Sequence, residues 1–89
     1  MSQIDLTVYS KPNCQACRMT KKWLDDRGFA YREADVMTEE NLALAEQYGV
    51  KEAPMVIARL ESVEAVFSGF RPDLLERYAP MLASAKDAA

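Results

Sequence analysis

Two cysteines that stand three positions apart, Cys14 and Cys17, are the feature that most constrains this chain of 89 residues. A domain of this size buries only a modest core, and small secreted domains often compensate with disulfide staples. A bridge between these two positions would close a loop too short to stabilise a fold much. The pair is therefore predicted to serve chemistry rather than to hold the fold together.

Two other interpretations of the pair are a zinc half-site and two inert core cysteines. A tetrahedral zinc site needs four ligands, and the sequence holds no further cysteine and no histidine. We therefore predict no metal. The pair follows Pro12 and Asn13, between a predicted strand and a predicted helix, and this position argues against inert core residues. In a reducing compartment such a pair is typical of redox chemistry.

The charge and hydropathy of the chain exclude other classes of function. The net charge of −3 argues against nucleic acid as the main partner. No apolar run approaches the roughly 18 residues of a membrane span. Residues 1–5 show neither the basic start nor the apolar run of a signal peptide. We expect a cytoplasmic monomer that binds no membrane.

Hydrophobic periodicity predicts the order strand, helix, strand, helix, strand, strand, helix. Strands are expected over residues 4–9, 29–36 and 55–59, and a fourth strand is expected to follow a weak turn at 61–64 and to end at 67. Helices are expected over residues 16–27 and 38–48. A last helix is expected to begin at Pro72, and Pro80 is expected to end or kink it. A right-handed crossover makes the first two strands parallel neighbours. The prediction is an α/β protein with a thioredoxin-like fold in its minimal βαβαββα form, with a four-stranded mixed sheet and three helices. Residues 1–82 would form the domain and 83–89 a frayed tail.

The same periodicity predicts which helical residues face the core. They are Cys17, Thr20, Trp23 and Leu24 in the first helix, Leu42, Ala45 and Tyr48 in the second, and Leu74, Leu75 and Tyr78 in the third.

Thiol–disulfide exchange explains why the cysteines stand where a helix begins. The thiolate is the reacting species, and unpaired N–H groups at a helix start stabilise an anion. Lys11 and Arg18 can add to this effect. We predict that Cys14, at the exposed helix tip, attacks the target disulfide, and that Cys17, one turn inward, resolves the mixed disulfide.

Basic residues are concentrated near the cysteines. Residues 1–22 hold Lys11, Arg18, Lys21 and Lys22 against Asp5, a balance of +3 in a chain of net charge −3. This arrangement is either an ordinary solvated surface or a basic rim that attracts acidic partners.

Four runs together resemble the NrdH-redoxins along nearly the whole chain. They are Tyr9-Ser10-Lys11-Pro12-x-Cys14-x-x-Cys17, then Thr20-Lys21, then Ala53-Pro54-Met55-Val56, then Ser68-Gly69-Phe70-Arg71-Pro72-Asp73. The resemblance implies a glutaredoxin-like protein that acts like a thioredoxin. Such a protein is reduced by thioredoxin reductase and donates electrons to the C-terminal tail of the large subunit of class Ib ribonucleotide reductase. It implies no bound cofactor beyond the redox-active disulfide Cys14–Cys17.

The resemblance also implies the residues of the site. Cys14 and Cys17 are the redox pair, and Pro54 is a cis proline that leaves the backbone of Ala53 free to pair with an extended substrate. Residues 68–72 would narrow the groove in which glutaredoxins hold glutathione. The predicted partner-binding residues are Lys11, Gln15, Ala16, Arg18, Ala53, Pro54, Ser68, Gly69, Phe70 and Arg71.

Departures from the family patterns bear on the reductant. Phe67 stands where the family usually has Trp, so the ring cannot donate a hydrogen bond. Glutathione-binding glutaredoxins commonly carry Thr-Val-Pro at the cis proline and an acidic pair after the glycine turn. Here Glu52-Ala53-Pro54 and Phe70-Arg71 take those places. Two alternatives remain: a glutathione-dependent glutaredoxin that reduces mixed disulfides, and a non-catalytic redox switch resembling the Spx regulators.

Overall fold

A computed structural model describes residues 5–60 and 64–88, with the side chains of the last helix described through Leu82. Its seven elements are β1 (Leu6–Ser10), α1 (Gln15–Asp26), β2 (Arg32–Asp35), α2 (Glu39–Gln47), β3 (Met55–Arg59), β4 (Glu64–Ser68) and α3 (Pro72–Ala88). This order confirms the predicted sequence of strands and helices. The predicted start of the first strand at Ile4 and residues 61–63 of the turn predicted at 61–64 lie outside the described residues, and Glu64 belongs to β4 rather than to the turn.

The four strands form one mixed sheet in the order β2-β1-β3-β4. Strand β1 runs parallel to β2, with Val8 opposite Glu33, and antiparallel to β3, with Val8 opposite Val56. Strands β3 and β4 form the antiparallel hairpin. All of β3 except Arg59 is buried, as expected for a central strand covered on both faces. The thioredoxin-like fold is confirmed.

Two cores of unequal size lie on the two faces of the sheet. The larger core joins the sheet to α1 and α3, and its buried residues are Leu6, Val8, Leu24, Val56, Ala58, Phe67, Leu75, Ala79 and Leu82. The smaller core lies under α2 and contains Ala45, Met55 and Ile57. Helices α1 and α3 therefore bury far more apolar surface than α2 does.

Helix α1 places its first turn against the sheet as its sequence predicts. Cys17, Thr20 and Leu24 are buried on one face, and Trp23 packs against the larger core. The Thr20 hydroxyl donates to the Ala16 carbonyl at 2.8 Å, so this buried polar group is satisfied. The burial of this face holds the start of α1 against the sheet.

In α2, the prediction that Leu42 faces the core is wrong, because its side chain is 46% exposed. Leu44, Ala45 and Tyr48 contact the smaller core instead. At about 100° per residue, Leu42 and Leu44 point to opposite sides of the helix. Thr38 is the N-cap of α2, and its side chain accepts the Asn41 N–H at 3.1 Å.

In α3, the helix continues past Pro80 to Ala88, so of the two predicted outcomes at this proline, an end or a kink, the end is wrong. An internal proline costs about 3 kcal/mol through a lost hydrogen bond and a steric clash. Ala79 and Leu82, on either side, are both buried in the larger core, and this burial offsets the cost. The frayed tail predicted for residues 83–89 falls where no side chain is described and stays a prediction. Among the helices of the described residues, none combines the length and apolar character needed to cross a lipid bilayer.

Candidate active site

The two cysteines form a disulfide at the start of α1, with their Cα atoms 5.2 Å apart. Cys14 is the N-cap of the helix and has an extended backbone. Asn13, directly before it, has a φ of +58°, a left-handed conformation that asparagine tolerates better than most residues. This residue turns the chain from the end of β1 into the helix and sets the position of Cys14.

The sulfur of Cys14 acts as the capping group of α1. Its Sγ accepts the backbone N–H of Cys17 at 3.1 Å. An N-terminal amide that points at this sulfur favours the thiolate over the thiol once the disulfide is reduced. The first turn of the helix thus supplies the anion stabilisation that the sequence predicted.

Cys17 is buried as the sequence predicted, but Cys14 is less exposed than predicted. Cys14 is 8% exposed and Cys17 is 1% exposed, so the prediction of an exposed helix tip is wrong for Cys14. The disulfide covers one side of its Sγ, and the carbonyl oxygen of Ala53 lies 3.8 Å away. Cys14 is still the more accessible of the two.

Ala53 and Pro54 lie beside the disulfide and are joined by a cis peptide bond, as predicted. Pro54 is buried, and its carbonyl accepts the N–H of Gly69 at 3.0 Å. The start of β3 and the turn after β4 are therefore tied together next to Cys14. The structure brings three distant parts of the chain, around residues 14, 53 and 69, to one place.

The segment of residues 68–71 forms the turn between β4 and α3. Gly69 has a φ of +78°, and a Cβ there would lie 3.2 Å from a carboxylate oxygen of Glu52, so the position requires glycine. Phe70 packs against the larger core. The positive φ of Gly69 and the packing of Phe70 therefore determine the turn.

Arg71 is exposed and forms a bidentate ion pair with Asp73. Its Nε donates to one carboxylate oxygen at 3.2 Å and its second nitrogen donates to the other at 3.1 Å. The hydrogen bond from Arg71 holds the pKa of Asp73 below its ordinary value. The Asp73 carboxylate at the start of α3 is thus already paired with the Arg71 guanidinium.

The predicted basic rim is smaller in the structure than in the sequence. Lys21 pairs with Glu33 at 2.6 Å and Lys22 pairs with Asp26 at 2.9 Å. Lys11 and Arg18 are exposed and form no ion pair with any side chain that the structure describes. These two residues are therefore the unneutralised cations of the predicted rim.

Glu33 is a residue of this region that the sequence did not single out. Besides Lys21, it accepts the hydroxyl of the buried Ser10 at 3.1 Å. The hydrogen bond from Lys21, followed by that from Ser10, holds the pKa of Glu33 below its ordinary value of 4.5. The parallel register of β1 and β2 could have placed Glu33 beside Val8, but the contact with Lys21 depends on the packing of α1.

Phe67, which replaces the usual tryptophan, is buried in the larger core and stacks on Tyr78 with the ring centroids 6.4 Å apart. The ring is a packing residue here. Within the residues that the structure describes, no group of three or more histidine, cysteine or acidic side chains could hold a metal ion.

The glutaredoxin family model matches residues 6–63, which include the cysteine pair and the cis proline. The chain belongs to the glutaredoxin family, in its NrdH-redoxin group. It is 36% identical over 75 residues to the glutaredoxin-like protein NrdH of Lactococcus lactis subsp. cremoris, a match that covers 83% of this chain and 99% of that protein. It is 37% identical over 77 residues to NrdH of Escherichia coli, covering 84% and 89% of the two chains.

A solved structure agrees with these relatives. NrdH-redoxin of Escherichia coli superposes with a TM-score of 0.68 at 33% sequence identity, over 81% of this chain and 91% of that chain. The predicted resemblance is therefore confirmed. A glutaredoxin-like chain with a disulfide-forming Cys-x-x-Cys pair is a thiol–disulfide oxidoreductase.

Proposed function

We propose that this redoxin accepts electrons from thioredoxin reductase and donates them to the C-terminal tail of class Ib ribonucleotide reductase, in the cytoplasm, through residues of the domain 1–82. The relatives named NrdH support this proposal, and the solved relative from Escherichia coli is described as having a thioredoxin-like activity profile. Glutathione would then be a poor reductant.

The observation that carries the choice of reductant is the ion pair at the start of α3. Where glutathione-binding glutaredoxins commonly carry an acidic pair, this chain has Phe70 and Arg71. The nearby carboxylate of Asp73 accepts hydrogen bonds from two guanidinium nitrogens of Arg71. A ligand ammonium group would therefore have to displace a bidentate guanidinium, which is among the stronger side-chain contacts.

The reaction is a two-electron exchange between two disulfides. In the reduced protein the Cys14 thiolate attacks one sulfur of the target disulfide; a bond forms between the two sulfurs and the other target sulfur leaves as a thiolate. Cys17 then loses its proton and attacks the Cys14 sulfur, which releases the second target thiolate. The target is reduced to a dithiol, and the redoxin is left with the Cys14–Cys17 disulfide seen in the structure.

The order of attack follows from burial and capping. Cys14 is the more accessible sulfur and the one that accepts the helix amide. Cys17 is nearly fully buried, so a bulky target cannot reach it, whereas the adjacent Cys14 sulfur can. We therefore assign attack to Cys14 and resolution to Cys17.

Ala53 provides the means of orienting the target. Its N–H and carbonyl group form no backbone hydrogen bond within the described residues, and its carbonyl oxygen lies 3.8 Å from Cys14 Sγ. An extended target segment that pairs with these groups would place its disulfide beside Cys14.

A paired assay tests the proposal. The redoxin is supplied either with NADPH and thioredoxin reductase or with NADPH, glutathione and glutathione reductase, and reduction of class Ib ribonucleotide reductase is followed by NADPH oxidation. We expect turnover in the first arm and little in the second. Comparable rates in both arms would establish the glutathione-dependent alternative instead.

A matched pair of variants tests the ion pair itself. Arg71→Ala leaves the Asp73 carboxylate without its cation, so the rate with glutathione should rise. Arg77→Ala removes a guanidinium that lies over the Tyr78 ring instead and should leave the rate with glutathione unchanged. Equal rates for the two variants would show that Arg71 does not select the reductant.

A further inference from the structure

A second concave surface lies next to the active site, on the α2 side of the sheet. It has a volume of about 130 Å³, close to the roughly 150 Å³ of an apolar cavity that holds a benzene molecule. Its apolar lining is formed by Val36, Met37, Leu42, Ala45 and Val50. We call this surface the side cleft.

Some of the apolar side chains that line the side cleft are exposed to solvent, although apolar groups are more stable when buried. Met37 is 53% exposed and Leu42 is 46% exposed, while Val36 and Ala45 at the bottom are buried. Two of the large apolar side chains that stand exposed in the described structure therefore border one cleft. Grouped exposed apolar side chains indicate an interaction surface, whereas a single exposed apolar residue does not.

The side cleft is continuous with the active site. Ala53 belongs to its rim and also lies 3.8 Å from Cys14 Sγ. Along an extended segment, residues two positions apart point to the same side and are separated by about 7 Å. A segment that crosses Ala53 with its cysteine at Cys14 can thus direct the side chain two positions away into the cleft.

The rim carries an excess of positive charge. Lys11 and Lys51 border the cleft and are exposed, and neither forms an ion pair with a described side chain. Glu52 also belongs to the rim, and its carboxylate lies near Gly69, so the three charged residues of the rim leave a balance of +1. An acidic residue next to the apolar one would therefore complement this rim.

From this continuity and charge we infer that the side cleft seats an apolar side chain of the target segment, two residues from the target cysteine, with an acidic residue of the same segment beside Lys51. The inference rests on the proposed donation of electrons to a protein disulfide. It adds a sequence preference: the redoxin would select targets by what flanks their cysteine.

Symmetric disulfides of short peptides test the preference. The peptides carry either leucine or serine two positions before or after the cysteine, and the rate of peptide thiol release by the reduced redoxin is measured by chromatography. We expect the leucine peptide to react about fivefold faster in at least one of the two registers, the effect of partly burying one aliphatic side chain. Equal rates for leucine and serine in both registers would overturn the inference.

Variants of the cleft connect the preference to its residues. The double variant Met37→Ser with Leu42→Ser should lose the preference for leucine, and both side chains are exposed enough to be replaced without loss of the fold. Met81→Ser, at an exposed methionine of α3, is the matched control and should keep the preference. A preference that survives the double variant would place the contact elsewhere.

The charge on the rim is tested separately. Lys51→Gln should slow the reduction of a peptide with glutamate beside the leucine about threefold at low salt, and the difference should vanish near 1 M salt because exposed charges are screened. Arg77→Gln is the control for a loss of positive charge elsewhere. An equal loss of rate in both variants, or none in Lys51→Gln, would remove Lys51 from the inference.

Hydroxyethyl disulfide, a small substrate with no side chain to place in the cleft, separates the two proposals. All cleft variants should reduce it at the parent rate. If the parent reduces hydroxyethyl disulfide and also reduces the leucine and serine peptides at equal rates, the cleft inference fails and the proposed function stands. If the parent reduces neither, electron donation itself is refuted.

Discussion

The hydrogen bond from the Cys17 amide to the Cys14 sulfur can be removed while its surroundings are kept. Cys17→Ser removes the resolving thiol but keeps the amide, whereas Cys17→Pro removes both. Proline is tolerated in the first turn of a helix, where the N–H has no carbonyl partner within the helix. Both variants leave Cys14 as the single cysteine, and they differ in the amide and in the small side chain at position 17.

The size of the effect follows from the bond itself. A hydrogen bond to a charged group contributes about 1.5–3 kcal/mol, and we take the lower end because the 3.1 Å contact is to sulfur and water can replace part of it. About 1.5 kcal/mol lowers the ratio of thiolate to thiol about tenfold. Since a more basic thiolate is also more nucleophilic, the rate of alkylation below neutral pH should fall only about threefold.

Two measurements check this expectation. The ultraviolet absorbance of the thiolate is followed against pH in both variants, and alkylation by iodoacetamide is timed at one acidic pH. Gln15→Pro combined with Cys17→Ser is the control, because it introduces proline two positions earlier in the same turn and keeps the amide of residue 17. If Cys17→Pro folds by circular dichroism and titrates like Cys17→Ser, the amide does not stabilise the thiolate and the reasoning is refuted.

Three further predictions concern the thiols and the stability of the fold. Cys17→Ser should accumulate a mixed disulfide between Cys14 and its target on a non-reducing gel, and faster alkylation of Cys17 than of Cys14 in the parent would reverse their roles. Glu33→Gln should lower the free energy of unfolding by about 0.2–1 kcal/mol at neutral pH, the range of exposed ion pairs. Because Lys21 lowers the pKa of Glu33 in the fold, this contribution is present above the ordinary value of 4.5 and is lost as the pH falls below it; urea titrations that show the same difference near pH 3 would contradict this. Leu24→Ala, at a fully buried site, should cost about 2–5 kcal/mol in the same titration, and a loss under about 1 kcal/mol would show that the core closes around the missing group.

The parts of the site that the sequence predicted are those fixed by local chemistry. A strand, a break at Pro12 and a helix start placed Cys14 and Cys17 correctly at the redox centre. The glycine at position 69 and the proline at position 54 marked the two turns that meet there. The prediction of a cis bond before Pro54 came from the family resemblance and not from the residues alone.

The parts that the sequence missed depend on contacts between distant elements. The pairing of Lys21 with Glu33 joins α1 to β2 across twelve positions, and no periodicity within either element predicts it. The contact of Cys14 Sγ with the carbonyl of Ala53, 39 positions later, depends on the tertiary fold and could not be predicted from local sequence. Leu42 was misplaced because its helix is only nine residues long, which is too short for spacing alone to choose between two faces.

The unequal cores have a consequence for how the molecule opens. Helix α2 is held mainly by Ala45 and partly buried neighbours, so detaching it exposes little apolar surface, and local opening there requires less free energy than global unfolding does. The amide protons of Glu39–Gln47 should therefore exchange with deuterium well before those of β1 and β3. The disulfide, which is carried by α1 on the other face of the sheet, would keep its geometry through each such opening, whereas the side cleft would briefly lose one wall.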